Sequence, residues 1–395
     1  MKARLGELTL LQKLHWTLSL VIGALLVIGI FFVYSARYVS DQAPAQTLYR
    51  RQILWAVVGI VCYALVAAYD FRNLKKLSWW IYGVCLVLLI GVLFVEPVGG
   101  ATRRIMLFGV GVQPSELAKL AAILLLSIRL SWPDENINGI RFLLETVALV
   151  AVPVLLILME PDLGTAMVFV PTVFVMMFVG GVSLRILGGL VGMGAFFAML
   201  LLLALFLPAK LNMSEEAQER IASITMLRDH QRERIQVFFD PGSDPLETGW
   251  TRMQSEIAVG SGGLWGKGYL QGDQNVLGYL PRSVAPTDFI YAVIAEEKGF
   301  FGSVVVLGLF ALMLLCCVDV GLNTKDKMGR LLCAGVTTML FCHVFINVAM
   351  TVGMMPITGL PLPLLSYGGS FTVTIMTALG VVQSVHIRSQ IVRMF

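Results

Sequence analysis

Charge is scarce in this sequence. Asp, Glu, Lys and Arg make up 14% of its 395 residues, where an average soluble domain carries about a quarter. The formal net charge is +4 with the basic residues spread over loops, so there is no cationic face for nucleic acid. Histidine is rarer still: His15, His230, His343 and His386 are scattered and form no ligand spacing. The six cysteines, Cys62, Cys85, Cys316, Cys317, Cys333 and Cys342, all lie inside apolar runs, and the largest polar stretch has none. That pattern argues against a disulfide framework or a thiolate metal site and for packing between helices. Nucleotide fingerprints, a Ser-His-Asp order, low-complexity tracts and an inverted internal repeat are all missing.

What fills the chain instead is apolar sequence. Hydrophobic residues reach 57%, in continuous runs rather than at amphipathic spacing. Ten runs, near 14–35, 53–69, 77–95, 115–131, 142–159, 164–181, 184–207, 289–318, 330–353 and 369–387, are each long enough to cross a hydrocarbon core of about 30 Å. The fold class expected is all-α: a polytopic integral membrane protein of about ten spans, residues 1–395 forming one membrane domain. The first run is too long for a signal-peptide core and is read as a retained span. The 289–318 run is longer than a span requires, which predicts tilt or extension past the bilayer. Lys and Arg in the short loops favour the side that holds both termini, with Lys2, Arg4, Lys13, Arg72, Lys75, Lys76, Lys325, Lys327 and Arg330 carrying the bias. That side is therefore cytoplasmic, and the 208–287 stretch is a large extracytoplasmic loop. Ser214 to Asp240 reads as one or two surface helices. Thr248 to Gly272, with Gly260, Gly262, Gly263, Gly266 and Gly268, reads as a shaped loop.

Ionisable residues at membrane depth are costly, and each is a candidate for function. Four groups stand at the outer ends of spans. Thr287-Asp288-Phe289 opens the eighth; Asp288 reads as a helix N-cap and as a partly desolvated carboxylate suited to general-base work, roles compatible in one residue. Gln113-Pro114-Ser115-Glu116-Leu117-Ala118-Lys119 opens the fourth, with Glu116 and Lys119 three apart on one helix face and able to pair. Glu160-Pro161-Asp162-Leu163-Gly164-Thr165 turns between the fifth and sixth; a turn needs only one of its two acids. Pro356 to Pro363, followed by Ser366-Tyr367-Gly368-Gly369-Ser370, is apolar yet full of helix breakers. Irregular backbone at that depth belongs against protein or a wet cavity. Glu296 and Glu297 follow Asp288 by about two helical turns and need partners, such as Lys298 or another span.

Together these segments resemble the SEDS family of bacterial cell-wall polymerases. The matching pieces are Gly100-Ala101-Thr102-Arg103, Gln113 to Lys119, Glu160 to Ala166, Asp240-Pro241 with Asp244-Pro245, Ile257 to Gly268, Thr287-Asp288-Phe289 and Pro356 to Ser370, in the family's order. Gly268 to Gln274 is closer to the elongation branch than to the division branch. The resemblance implies a ten-span peptidoglycan glycosyltransferase in the bacterial cytoplasmic membrane. It would polymerise lipid II, a disaccharide-pentapeptide on undecaprenyl pyrophosphate, beside a class B penicillin-binding protein. It also implies Asp288 as the catalytic residue, deprotonating the acceptor's 4-hydroxyl. Substrate-binding positions carried over are Arg103, Glu116, Lys119, Glu160, Asp162, Lys267 and Ser366. Arg103 and Lys119 would meet the departing pyrophosphate, whose charge calls for cations or a divalent ion such as Mg or Mn. Glu116 and Asp162 would line the same cavity, and the glycine-rich loop would shape the groove above Asp288.

The chain departs from the family twice. Arg104 stands where the family usually has Trp, and Pro281-Arg282 replaces the usual Pro-Glu before Thr-Asp-Phe, at longer spacing. A flippase for a polyprenyl-linked precursor and a non-catalytic scaffold are the competing expectations, together with a division-specific polymerase. Charges gathered at outer ends rather than at the midplane favour surface chemistry over transport.

Overall fold

The computed structural model describes residues 12–38, 45–94, 105–107, 110–132, 136–160, 162–211, 214, 229–240, 242, 244 and 246–393. Helices dominate. The first three are α1 (Trp16–Ser35), α2 (Ala45–Ala68) and α3 (Leu74–Val92). A short antiparallel hairpin, β1 (Ile105–Leu107) and β2 (Val110–Val112), pairs Met106 with Gly111 and was not anticipated in an all-α chain. Then come α4 (Pro114–Ser131), α5 (Ile140–Met159), α6 (Leu163–Gly180) and α7 (Leu184–Lys210). The large loop contains α8 (Asp229–Phe239), α9 (Thr248–Ser261) and the single turn α10 (Asp273–Val276). Three long helices close the chain: α11 (Ile290–Asn323), α12 (Lys327–Thr351) and α13 (Gly369–Arg393).

Among the described residues, nine of these helices have the length and apolarity to cross a membrane. The tenth expected span, α4, lies where the sequence predicts it but carries Glu116, Lys119 and Arg129. It can carry them because it packs against α3, α5, α6, α12 and α13, so protein rather than lipid surrounds its outer half. Burial is very uneven across the bundle. In α12 and α13, 72% of the apolar window is buried inside the protein; in α7 the share is 6%. The core therefore sits around α4, α12 and α13, and α7 is a peripheral helix packed on α6.

The extra length of α11 is resolved by a break, not by tilt alone. Gly299 has φ +64° and ψ −160°, which interrupts the helix. Phe300–Asn323 is about 36 Å long at 1.5 Å per residue, enough to cross by itself. The preceding segment, Ile290 to Lys298, bridges the outer ends of two spans. Asn347, near the end of α12, donates to the Asp288 carbonyl at 2.7 Å, and Ser35, the last residue of α1, donates to Glu297. Ile290 to Glu297 is buried throughout.

The loop differs from its sequence reading in two respects. Thr248 to Ser261 is helix, and only the part after it is irregular. The helix start is organised by Asp244, whose carboxylate accepts from the backbone of Leu246, Glu247, Thr248 and Gly249. Burial would raise that carboxyl, but the four donors outweigh it and hold it below the ordinary aspartate range. The glycine-rich segment docks on the Gly299 break instead of standing over Asp288. Lys267 and Gly268 donate to the carbonyls of Glu296 and Glu297, and Phe300 and Phe301 donate to those of Gly263 and Leu264. A Cβ on Gly266 (φ +81°) would fall 2.2 Å from the Glu297 carbonyl oxygen, which is why the sequence needs glycine there. Of the expected surface helices over Ser214 to Asp240, one is present as α8; residues 215–228 lie outside the described residues.

Candidate functional site

Asp288 is half-buried and lies outside the helix it introduces. The N-cap position of α11 is Phe289, which makes no side-chain cap bond, so Asp288 stands one residue before it. Its backbone is fixed from another direction. Three consecutive carbonyls are each received by a donor from the far end of the chain. Tyr367 N–H donates to Pro286 at 2.8 Å, the Ser366 hydroxyl to Thr287 at 2.5 Å, and the Asn347 amide to Asp288 at 2.7 Å. Asn347 also donates to the Leu360 carbonyl at 2.7 Å, and Ser366 Oγ accepts from Leu362 N–H at 2.7 Å. The breaker-rich Pro356–Ser370 segment is thus a cradle for the Asp288 turn, and its Tyr367–Ser370 end lines a cavity, the two settings in which irregular backbone at this depth is tolerated.

This turn forms part of the wall of a cavity of about 670 Å³. Arg37 from the end of α1, Arg51 and Trp55 from α2, Gln113 before α4, and Thr287 and Ser370 are among its lining residues. Among the described residues, two arginines and no carboxylate line it, so this lining favours an anion. Arg37 Nε is buried and makes no hydrogen bond among the described residues. Gln113 connects the wall to what lies behind it, donating to Asp162 at 3.1 Å and to Ser115 at 3.1 Å.

Behind the wall, the acids and bases expected at the site form a closed interior network. Lys119 pairs with Glu116 at 2.9 Å, and both side chains are 2% exposed. Lys119 also meets His343 Nε2 at 2.6 Å, while His343 Nδ1 lies 3.4 Å from the Pro361 carbonyl. These contacts fix the ring's tautomer, with Nδ1–H donating to Pro361 and Nε2 accepting from the lysine. Asp162 caps α6, accepting from Thr165 N–H at 3.1 Å and from its hydroxyl at 2.9 Å. Glu160 is fully buried at the end of α5. Glu116, Lys119, Glu160 and Asp162 are not among the cavity-lining residues, and of the Asp288 turn the lining takes Pro286 and Thr287 but not Asp288 itself. Ser366 is likewise buried, its hydroxyl occupied by the Asp288 turn. Arg103 and Arg104 lie outside the described residues.

Lys267 belongs to a second centre, at the Gly299 break. Its amine pairs with Glu296 at 2.8 Å and Asp273 at 2.9 Å. Partial burial would lower the amine, but these two carboxylates hold it above the ordinary lysine range. Glu296 takes a further bond from Gln274 N–H at 3.0 Å. The partners that Glu296 and Glu297 need are therefore Lys267, Gln274 and Ser35, not Lys298, whose amine sits 5.5 Å over the Tyr269 ring. Tyr269 donates to the Phe31 carbonyl at 2.8 Å; burial, with Glu297 nearby, pushes its phenol up to about 12.

Sequence comparison now fits this geometry to a family. Residues 15–391 match the cell cycle protein family that groups FtsW, RodA and SpoVE. The chain belongs to that family. It is 34% identical to the peptidoglycan glycosyltransferase RodA of Treponema pallidum, over 94% of this chain and 97% of the relative. It is also 34% identical to the peptidoglycan glycosyltransferase MrdB of Escherichia coli K12, over 96% and 95%. Its fold resembles a chain of a peptidoglycan synthase complex, solved for its coordination of polymerization and crosslinking (TM-score 0.73, 31% identity, 95% and 98% covered). The rod shape determining protein RodA of Thermus thermophilus is a further structural relative (TM-score 0.64, 28% identity, 94% and 96% covered).

Family membership leaves the cation question to the residues. Among the described residues no three or more His, Cys, Asp or Glu are grouped to hold a metal ion, and the cavity lining supplies arginines instead. Sequence reasoning missed Arg37, Arg51, His343 and Asn347. Each is unremarkable locally; only α1, α2 and α12 converging on the Asp288 turn gives them a role.

Proposed function

We propose that this chain performs the reaction for which its relatives are named. It is a membrane-embedded peptidoglycan glycosyltransferase, extending glycan strands from lipid II. The observation that carries the reading is the Asp288 turn: a half-buried carboxylate residue on a rigidly held backbone, beside an arginine-lined cavity at the outer ends of the spans. Asp288 takes the proton from the 4-hydroxyl of the acceptor sugar as that oxygen attacks the anomeric carbon of the donor. The bond from that carbon to the diphosphate oxygen breaks, and the lipid diphosphate leaves. Arg37 and Arg51 stabilise the charge that develops on it. Reaction takes place on the outer face of the bacterial cytoplasmic membrane, following the Lys and Arg bias of the short loops. The elongation role rests on the RodA and MrdB matches over nearly the whole chain. The synthase complex it resembles supports work beside a crosslinking class B penicillin-binding protein.

Purified protein, alone and with its crosslinking partner, should polymerise labelled lipid II, and Asp288→Asn should lose about 10²–10⁴-fold in rate, the usual contribution of a general base. Unchanged polymerisation by Asp288→Asn would sink the assignment.

A further inference from the structure

We propose that Asn347 is the positioning residue of this reaction, setting the Asp288 carboxylate through the backbone that bears it. The inference rests on the reading of Asp288 just given. Asn347 is fully buried in the last turn and a half of α12, with His343 one turn earlier and Thr351 one turn later also buried on this face. A buried amide in such a place is costly unless it is bonded. Its bonds go to two carbonyls from two separate segments: Asp288 at 2.7 Å and Leu360 at 2.7 Å. Both acceptors are carbonyl oxygens, so the NH₂ end must face them, and the amide orientation is determined by its partners. One side chain thereby ties the Asp288 turn to the Pro356–Ser370 cradle.

Two neighbours make the tie rigid. His343, four residues back on the same helix face, points at the Pro361 carbonyl and is itself held by Lys119. Thr351, four residues on, donates to the Asn347 carbonyl at 2.7 Å. Ser366 and Tyr367 hold the carbonyls of Thr287 and Pro286, and Asn347 takes hold of the aspartate's own carbonyl. The interior network of Glu116, Lys119 and His343 thus acquires a purpose: it supports the helix face that places the base. None of these residues needs to touch substrate.

Displacing a reacting group by about 1 Å can cost about 10²-fold in rate. Asn347→Ala should therefore lower kcat for lipid II polymerisation about 100-fold while KM stays within about threefold. Ser255→Ala is the control for a merely structural loss. It removes a buried bond of similar kind, to the Thr351 carbonyl at 2.8 Å one turn away, and should keep its kcat. If Asn347→Ala does not accumulate as folded protein, Asn347→Ser, which retains a shorter donor, is judged by the same split. Parent-like kcat in the folded Asn347 variant, or an equal fall in Ser255→Ala, overturns the proposal. Failure of the underlying reading shows separately: an active Asp288→Asn removes the base itself, whereas an inactive Asp288→Asn with a normal Asn347 variant removes only the positioning role.

Discussion

Two charged groups at the outer ends of the spans look alike in sequence and do opposite things in the structure. Glu116, Lys119 and His343 are sealed inside the bundle, each bonded to another member or to a neighbouring backbone. Asp288 stands half-buried next to a cavity wall to which Pro286 and Thr287 of its turn contribute, with its peptide carbonyl held. The first arrangement gains order by closing on itself; the second uses borrowed donors to leave a carboxylate residue in place for chemistry. Cost in lipid marks a residue as important, but the degree of enclosure is what separates the two groups: Glu116 and Lys119 are buried, whereas Asp288 is only half-buried.

The sharpest way to break that contrast is to unbalance the sealed group. Lys119→Met would leave Glu116 buried without its counter-charge, a loss of about 3–5 kcal/mol in stability. Adding Glu116→Gln should restore most of it, as seen in the thermal denaturation of the solubilised protein. A Lys119→Met protein of parent stability but no activity would move Lys119 from the framework to the reacting groups.

The sequence made the helical skeleton legible because lipid imposes long, uninterrupted apolar runs, and ten of these were countable. It placed α4 correctly although Glu116, Lys119 and Arg129 spoil its apolarity. Gly299 was not legible as a break, since a lone glycine in an apolar run is ordinary; its φ of +64° depends on the glycine-rich loop docking beneath it. Thr248 to Ser261 was misread for the opposite reason, its terminal glycines suggesting irregularity in what is a helix up to Ser261. Motifs pointed to Asp288, but Arg37, Arg51 and Asn347 carry no local signal. Their roles arise from contacts between residues up to hundreds of positions apart, which periodicity does not record.

The cavity side of the comparison is sharpened by its arginines. Arg37→Ala and Arg51→Ala should each cost about 1.5–3 kcal/mol of transition-state stabilisation, the worth of a charged hydrogen bond, or about 10–100-fold in kcat/KM. Thermal stability should be unaffected, because neither arginine balances a buried carboxylate in the lining. Equal losses of stability and activity would put these residues with the sealed group after all.

The smallest effect is expected at Lys267, which tests whether the Gly299 centre belongs to the framework as well. Its amine is raised above the ordinary lysine range by Glu296 and Asp273. A group whose folded pKa is raised contributes its stabilisation in full below its unfolded value, near 10.4 for lysine, and loses it as pH climbs through the folded value. Denaturation midpoints should therefore show no Lys267 contribution to slope from pH 6 to about 9 and a decline above about 10.4 that Lys267→Met removes. The Met variant should be less stable than the parent at neutral pH, since Glu296 is buried and keeps only the Gln274 amide. Polymerisation by the folded variant should stay near parent level, because Lys267 serves the break in α11 and not the cavity wall. A kcat that fell while stability held would instead join the two centres into one site.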